Sequence, residues 1–122
     1  MNRQELLERT KVFAHRCVKV AVALPGNALG RHVQSQLIRC ATSAAANYRA
    51  ACIAQSKAAF VSKLSIVLEE TDESSFWMEL LMEEGLLAKS RIVPLLTEGK
   101  ELTAIFIAAR HTTRRNAMSN SK

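Results

Sequence analysis

The sequence predicts an all-α protein, an antiparallel, up-and-down, left-handed four-helix bundle. The chain has 122 residues, the size of one domain, and 48% of them are hydrophobic. Only four Gly and two Pro interrupt it. Apolar residues recur every three or four positions through four segments with short connections, which favours antiparallel neighbours. We expect a single domain over residues 1–122, with a helical core at about 5–115 and a frayed polar tail at 116–122.

The first helix is predicted from about Glu5 to Leu24. Its basic residues lie mostly opposite the apolar face, as in an amphipathic helix. Pro25 cannot continue the helix, Gly26 suits a turn, and Asn27 is a good N-cap for the helix that follows. The inward face is predicted to contain Leu6, Leu7, Thr10, Phe13, Ala14, Cys17, Val20, Ala21 and Leu24.

The second helix is predicted from about Ala28 to Ile53. Its second half, "CATSAAANYRAACIA", is rich in alanine. Small side chains let another helix approach closely, but each contributes little buried area. The inward stripe is predicted to be Leu29, Val33, Leu37, Cys40, Ala44, Tyr48 and Ala51.

The third helix is predicted from about Lys57 to Glu84, with Ser56 as N-cap and Gly85 just beyond its end. Its main inward stripe is predicted to be Phe60, Leu64, Val67, Thr71, Ser74, Met78 and Met82. A second stripe on the same helix is Ile66, Glu70, Glu73 and Trp77. Two apolar faces on one helix predict two neighbours, or one neighbour and a partner chain.

The fourth helix is predicted to begin at Ser90 as N-cap and to end near Arg115. Pro94 would then fall in the first turn, where its missing N–H costs nothing. The inward residues are predicted to be Leu95, Leu96, Leu102, Ile105, Phe106 and Ala109.

The charge is unevenly distributed. The net charge is +6, yet no acid occurs from Arg9 to Leu68, where there are nine cations. The segment from Glu69 to Glu101 contains nine acids. A candidate phosphate-binding surface on the first two helices comprises Arg9, Arg16, Lys19, Arg31, Arg39 and Arg49. The alternative is that these cations pair with the acids of the third helix, within a protomer or between subunits.

The cysteines and histidines indicate neither a disulfide framework nor a metal site. Cys17, Cys40 and Cys52 are odd in number and lie in apolar segments, so we expect free, buried thiols. No histidine has a Glu three positions earlier, as a di-iron bundle would require. We expect no cofactor. With no apolar run long enough to span a bilayer and no secretory signal, the sequence predicts a cytoplasmic protein without membrane contact.

The two carboxylates of the second stripe have three interpretations: a catalytic acid and base, metal ligands, or partners for donors on a neighbouring helix. Neither a catalytic motif nor a metal-binding spacing accompanies Glu70 and Glu73, so we expect no enzyme. Pairing with donors on the second helix is favoured, because such a pair fixes register where small residues leave it weakly specified. The candidate donors are Arg39, Asn47 and Arg49.

Two motifs carry a resemblance. "TSAAANYRAA" (Thr42–Ala51) is similar to the Thr-Ser-x-x-Ala-Asn-x-x-Glu-Ala motif of a bacterial four-helix-bundle family, first described as products of an intervening sequence in large-subunit ribosomal RNA. "FVSKLSIVLEETDESSFWMELL" (Phe60–Leu81) resembles its second motif, Phe-x-x-Lys-Leu followed by Glu-x-x-Glu-x-x-x-Trp-Leu. The resemblance covers about Arg9 to Arg115. The positions that match its polar motif are Thr42, Ser43, Asn47, Glu70, Glu73 and Trp77. Ala50 stands where Glu is usual, and Met78 replaces Leu.

The resemblance implies a protomer that assembles into a ring of five and a poorly defined function, for which nucleic-acid binding is proposed. It also implies similarity to the accessory proteins of diversity-generating retroelements, which are basic pentamers that bind a reverse transcriptase and RNA. We therefore predict a non-enzymatic, self-assembling bundle that binds RNA or DNA through a basic surface. The alternative is a protein scaffold or adaptor, such as an accessory factor of a reverse transcriptase, without nucleic-acid contact. With six aromatic residues in the chain, no base-stacking platform is evident.

Overall fold

The computed structural model describes residues 1–120, which form four α-helices and no strand. These are α1 (Arg3–Val22), α2 (Ala28–Cys52), α3 (Lys57–Glu83) and α4 (Lys89–Asn120). The predicted all-α, four-helix architecture is confirmed. None of the helices in this part of the chain is both long and apolar enough to cross a lipid bilayer.

Contacts between the helices show that sequential neighbours are antiparallel. Early residues of α2 contact late residues of α3, as in the ring contact between His32 and Trp77, whereas Arg39 further along reaches back to Glu70. The same order reversal relates α3 to α4 and α4 to α1. Each helix therefore packs against the next, and α4 returns to α1 to close the bundle.

Side-chain caps fix the starts of three helices. Asn27 and Ser56 accept backbone N–H bonds from Gly30 at 2.8 Å and from Ala59 at 3.0 Å, as predicted. Asn2 forms a capping box with Glu5, which the sequence analysis did not identify. Gly85 follows α3 with a φ of 67°, the left-handed conformation that glycine adopts without a Cβ clash.

The start of α4 differs from the prediction. The helix begins at Lys89, so Ser90 lies inside its first turn and is not the N-cap. Pro94 is consequently the sixth helical residue, where its missing N–H leaves the Ser90 carbonyl without the usual helical donor. The helix also continues to Asn120, beyond the predicted end near Arg115, and residues 121–122 lie outside the described part of the chain.

The core lies along the centre of the bundle and contains nearly all of the predicted inward residues. Tyr48 of α2 packs against Phe106 of α4 with ring centroids 5.3 Å apart. Leu29 was predicted to be buried but is 37% exposed, because it lies on the edge of α2 near the end of the bundle. Ile92 is fully buried although it was not among the predicted core residues of the fourth helix.

The cysteines are free thiols, and two of them are fully enclosed. Burial raises the pKa of the Cys40 thiol to about 11, and burial also raises the pKa of Cys17. The Ser74 hydroxyl donates to the Cys40 sulfur at 3.2 Å. Because the thiolate is the reactive form, these two cysteines are inert core residues at neutral pH.

Candidate nucleic-acid interface

The carboxylates of Glu70 and Glu73 are bound by one guanidinium from the neighbouring helix. Arg39 of α2 donates from Nη1 to Glu70 Oε2 at 2.9 Å and from Nη2 to Glu73 Oε2. Its Nε donates to Gln36 Oε1 at 3.2 Å. The Trp77 indole N–H also donates to Glu73 Oε2, at 3.0 Å. One arginine and one indole therefore hold both acids in place, an arrangement called here the Arg39 cluster (Gln36, Arg39, Glu70, Glu73 and Trp77).

Aromatic contacts position the indole of the Arg39 cluster. His32 of α2 meets Trp77 edge-on with centroids 5.4 Å apart. Phe76 meets the same indole edge-on at 5.0 Å, although the Phe76 side chain is 54% exposed. Such edge-to-face pairs contribute specific geometry beyond burial of area. The indole thus joins α2 to α3 through its contact with His32, whereas its hydrogen bond to Glu73 lies within α3.

The other polar residues of the two motifs make local contacts. Asn47 donates to the Ser43 carbonyl at 2.9 Å and to the Ser43 hydroxyl at 3.1 Å. Thr42 donates to the Ile38 carbonyl at 2.6 Å within its own helix. Arg49 makes no ion pair or hydrogen bond with any residue from 1 to 120. Of the three candidate donors on α2, only Arg39 reaches the carboxylates.

Electrostatics keep the Arg39 guanidinium charged without making the cluster strongly stabilising. Desolvation lowers the pKa of Arg39, but the hydrogen bond to Glu73 and the charges of both carboxylates outweigh it, so the net direction is upward. The side chains of Arg39 and Glu70 are 48% and 17% exposed. Ion pairs this close to solvent contribute about 0–1 kcal/mol. The cluster therefore specifies how α2 and α3 align more than it stabilises the fold.

We expect Arg39→Met to reduce the free energy of unfolding by about 1 kcal/mol, because it leaves two adjacent carboxylates without their cation. Arg49→Met is the matched control on the same helix and should stay within about 0.5 kcal/mol of the parent protein. Urea denaturation at one protein concentration measures both. Adding Glu70→Gln and Glu73→Gln to Arg39→Met should restore most of the lost free energy of unfolding. Equal stability of the two single variants would contradict the role assigned to Arg39.

A second ion-pair cluster joins the first helix to the last. Arg9 donates from Nε and Nη2 to the two oxygens of Glu98 at 2.7 and 2.6 Å, and from Nη2 to Glu101 at 2.7 Å. The hydrogen bond to Glu98 is the main reason that the pKa of Arg9 is raised. Arg9 was predicted to belong to the phosphate-binding surface, and its acidic partners on α4 were not predicted from the sequence. The periodicity of α1 puts Arg9 beside the apolar stripe, which is the signal that could have indicated a neighbouring helix.

The remaining candidate cations of the first two helices are exposed. Arg31 donates to the Gly26 carbonyl at 2.7 Å. Arg16, Lys19 and Arg49 form no ion pair with any residue from 1 to 120. Arg49 and Lys11 line a groove of about 490 Å³ between α1 and α2, with Glu8 as the acid of that groove. Of the six predicted phosphate-binding residues, Arg9 and Arg39 are thus occupied within the protomer, and Arg16, Lys19, Arg31 and Arg49 remain available.

Within residues 1–120, no three His, Cys, Asp or Glu side chains are grouped in a way that could hold a metal ion. The fold and the charged clusters define a class of small basic four-helix bundles, with α2 fastened to α3 and α1 to α4 through arginine. The chain belongs to the 23S rRNA-intervening sequence protein family, whose sequence pattern it matches over residues 2–108.

A solved structure is similar to the chain over most of its length. This is the crystal structure of a protein of unknown function from the S23 ribosomal protein family of Bacteroides thetaiotaomicron. It is 28% identical in sequence with a TM-score of 0.83, and the alignment covers 91% of this chain and 99% of that one. No curated protein matches the chain.

Proposed function

We propose that the protein is a non-enzymatic four-helix bundle that assembles into a homopentameric ring and binds RNA through its basic surface. The observation that carries RNA binding is the charge left over after the internal ion pairs form. In residues 1–120, thirteen Lys and Arg side chains take part in no ion pair, against six Asp and Glu side chains. A surface with that excess attracts a polyanion independently of its sequence.

The non-enzymatic part of the proposal is supported by the Arg39 cluster. A carboxylate that acts as general acid or base needs a proton-transfer partner and room for substrate. Both oxygens that Glu70 and Glu73 direct toward α2 are instead bonded to Arg39. Because these carboxylates join two helices, we assign the function to the charged exterior.

Assembly is supported by apolar side chains on the outer face of α3. Phe76 is 54% exposed and contacts the half-buried Trp77, and Ile66, three turns earlier on the same stripe of α3 as Trp77, is 38% exposed. Contact with a second copy would remove this surface from water. Sedimentation should give a species of five times the 13.5 kDa protomer mass. A monomer over the whole micromolar range would contradict the ring.

The RNA part is tested by fluorescence anisotropy with a labelled single-stranded RNA of about 20 nucleotides. The dissociation constant should rise steeply with NaCl, with a slope of about 0.7 in log–log units for each phosphate contacted. A variant that lacks five exposed cations should lose most of this binding. Its substitutions are Arg16→Gln, Lys19→Gln, Lys57→Gln, Arg114→Gln and Arg115→Gln. Absence of binding by the parent protein at 50 mM NaCl would refute the proposal.

A second candidate function is a protein scaffold, for example an accessory factor of a reverse transcriptase. The exposed Phe76 beside Trp77 favours it, because an aromatic pair at a surface is a suitable anchor for a protein partner. The scaffold is supported if purified protein does not bind RNA while Phe76→Ala abolishes a nuclease-resistant complex with one defined protein. RNA binding that is unaffected by Phe76→Ala argues for the first function.

A further inference from the structure

Most of the unpaired positive charge lies at one end of the bundle. This basic end consists of the start of α1, the end of α2, the first half of α3 and the last turns of α4. In residues 1–120, its cations outside ion pairs are Arg3, Lys11, Arg49, Lys57, Lys63, Arg110, Arg114 and Arg115, and its unpaired acids are Glu5, Glu8 and Glu69. The opposite end has Arg16, Lys19, Arg31, Lys89 and Arg91 against Asp72, Glu83 and Glu84. The excess is thus five positive charges at the basic end and two at the other.

A cavity of about 290 Å³ opens at this end, between α1, α3, α4 and the connection that follows α2. Arg3 of α1, the connection that includes Gln55, Lys57 of α3 and Asn116 of α4 contribute to its wall. Every polar side chain in the wall is cationic or neutral. Arg3, Gln55, Lys57 and Asn116 carry N–H donors, whereas the Thr113 hydroxyl donates to the Ala109 carbonyl at 2.9 Å. A liquid water occupies about 30 Å³, so the cavity has room for an oxyanion with its hydration.

The cations around the cavity are oriented but not neutralised. The Arg3 guanidinium lies over the Phe60 ring, 4.6 Å from its centroid. This contact holds the guanidinium at the cavity mouth and leaves its positive charge unneutralised. Lys57, Arg114 and Arg115 are exposed and form no ion pair within the described chain. Arg9 and Arg39, by contrast, are each bound by two carboxylates.

We propose that the RNA backbone docks at the basic end, with one phosphodiester oxyanion bound in the cavity between Arg3 and Lys57. Arg114 and Arg115 contact the flanking phosphates. This inference rests on the proposed function and moves the contact away from the outer face of α1 and α2. A phosphodiester is suited to the cavity because it is an anion with acceptor oxygens only, whereas the wall presents donors. Since Phe60 is buried beneath Arg3, its ring is not offered to a base, and recognition at the cavity is of the backbone.

Two triple variants with the same loss of charge test the location. The basic-end variant is Lys57→Gln, Arg114→Gln and Arg115→Gln. The matched control is Lys89→Gln, Arg91→Gln and Lys100→Gln, three exposed cations in the opposite half of the bundle that belong to no proposed binding surface. At 100 mM NaCl the basic-end variant should raise the dissociation constant for the RNA 20-mer at least 10-fold, with a shallower salt slope, while the control should change it less than about 3-fold. Circular dichroism at the same protein concentration checks that both variants remain folded.

Ultraviolet cross-linking of the parent protein to the RNA gives an independent readout that needs no variant. Cross-linked peptides should map to residues 54–60 and 110–118. Cross-links confined to residues 16–31, or equal losses of affinity in the two triple variants, would overturn the location while leaving RNA binding intact. Absence of any RNA binding by the parent protein would overturn the proposed function as well.

Discussion

Phe106→Ala should reduce the free energy of unfolding by about 3–5 kcal/mol, the largest effect expected of a single substitution in this bundle. Phe106 is fully buried in the half of the core near the basic end, and its ring packs against Tyr48. Truncation removes the transfer free energy of the ring and leaves a cavity. The alanine-rich face of α2 has few side chains that could collapse into it. Domains of this size have total stabilities of about 5–15 kcal/mol, so the loss is a large fraction.

The neighbouring residue supplies the control for this experiment. Ile107 lies on the same turn of α4 but is 47% exposed. Ile107→Ala carries a comparable change in helix propensity and should cost less than about 1 kcal/mol. Both variants are compared by urea denaturation at a fixed protein concentration, because the stability of an oligomer depends on the concentration of its protomers. If Phe106→Ala lost no more stability than Ile107→Ala, the burial of Phe106 against Tyr48 across the core would be wrong.

The periodicity of apolar residues predicted the helices well because burial imposes it directly. The boundaries of α2 and α3 agree with the predictions to within a residue, since Asn27, Ser56 and Gly85 carry local chemistry that ends or begins a helix. The start of α4 was less predictable. Ser90 has the side chain of an N-cap, yet Lys89 is already helical, and Ile92 in the first turn is fully buried.

The pairing of charges could be predicted only in part. The two carboxylates on one stripe with Trp77 indicated a partner on α2, but three donors on that helix were consistent with the pattern. Which donor faces the carboxylates depends on how α2 is rotated about its axis, and in the structure it is Arg39. Glu98 lies 89 positions after Arg9, so nothing local connects them. The basic end is still harder to predict from the sequence, because its cations come from all four helices. Only the antiparallel fold brings Arg3, Lys57 and Arg114 to the same end of the bundle.

Gly30→Ala should destabilise the protein by about 2 kcal/mol, although alanine is the better helix former by about 1 kcal/mol. Gly30 is buried in the first turn of α2, and a Cβ there would overlap the carbonyl oxygen of Pro25 and lie 3.1 Å from the Asn27 side-chain oxygen. The obstacle is backbone, which cannot rotate away as a flexible side chain would. The connection between α1 and α2 must therefore shift, and with it the Asn27 cap, whose loss typically costs about 1 kcal/mol.

Gly26, in the same connection, separates this steric effect from a general sensitivity of the turn to glycine replacement. A Cβ at Gly26 meets nothing within 4 Å, and its φ is not positive. Gly26→Ala should therefore be neutral, or stabilising by up to about 1 kcal/mol through the reduced entropy of the unfolded chain. In thermal denaturation, the midpoint temperature of Gly30→Ala should fall below that of the parent protein, and the midpoint of Gly26→Ala should equal or exceed it. If the Gly30→Ala protein were as stable as the Gly26→Ala protein, the Pro25 carbonyl could not lie against Gly30. The described packing of the turn on α2 would then be wrong.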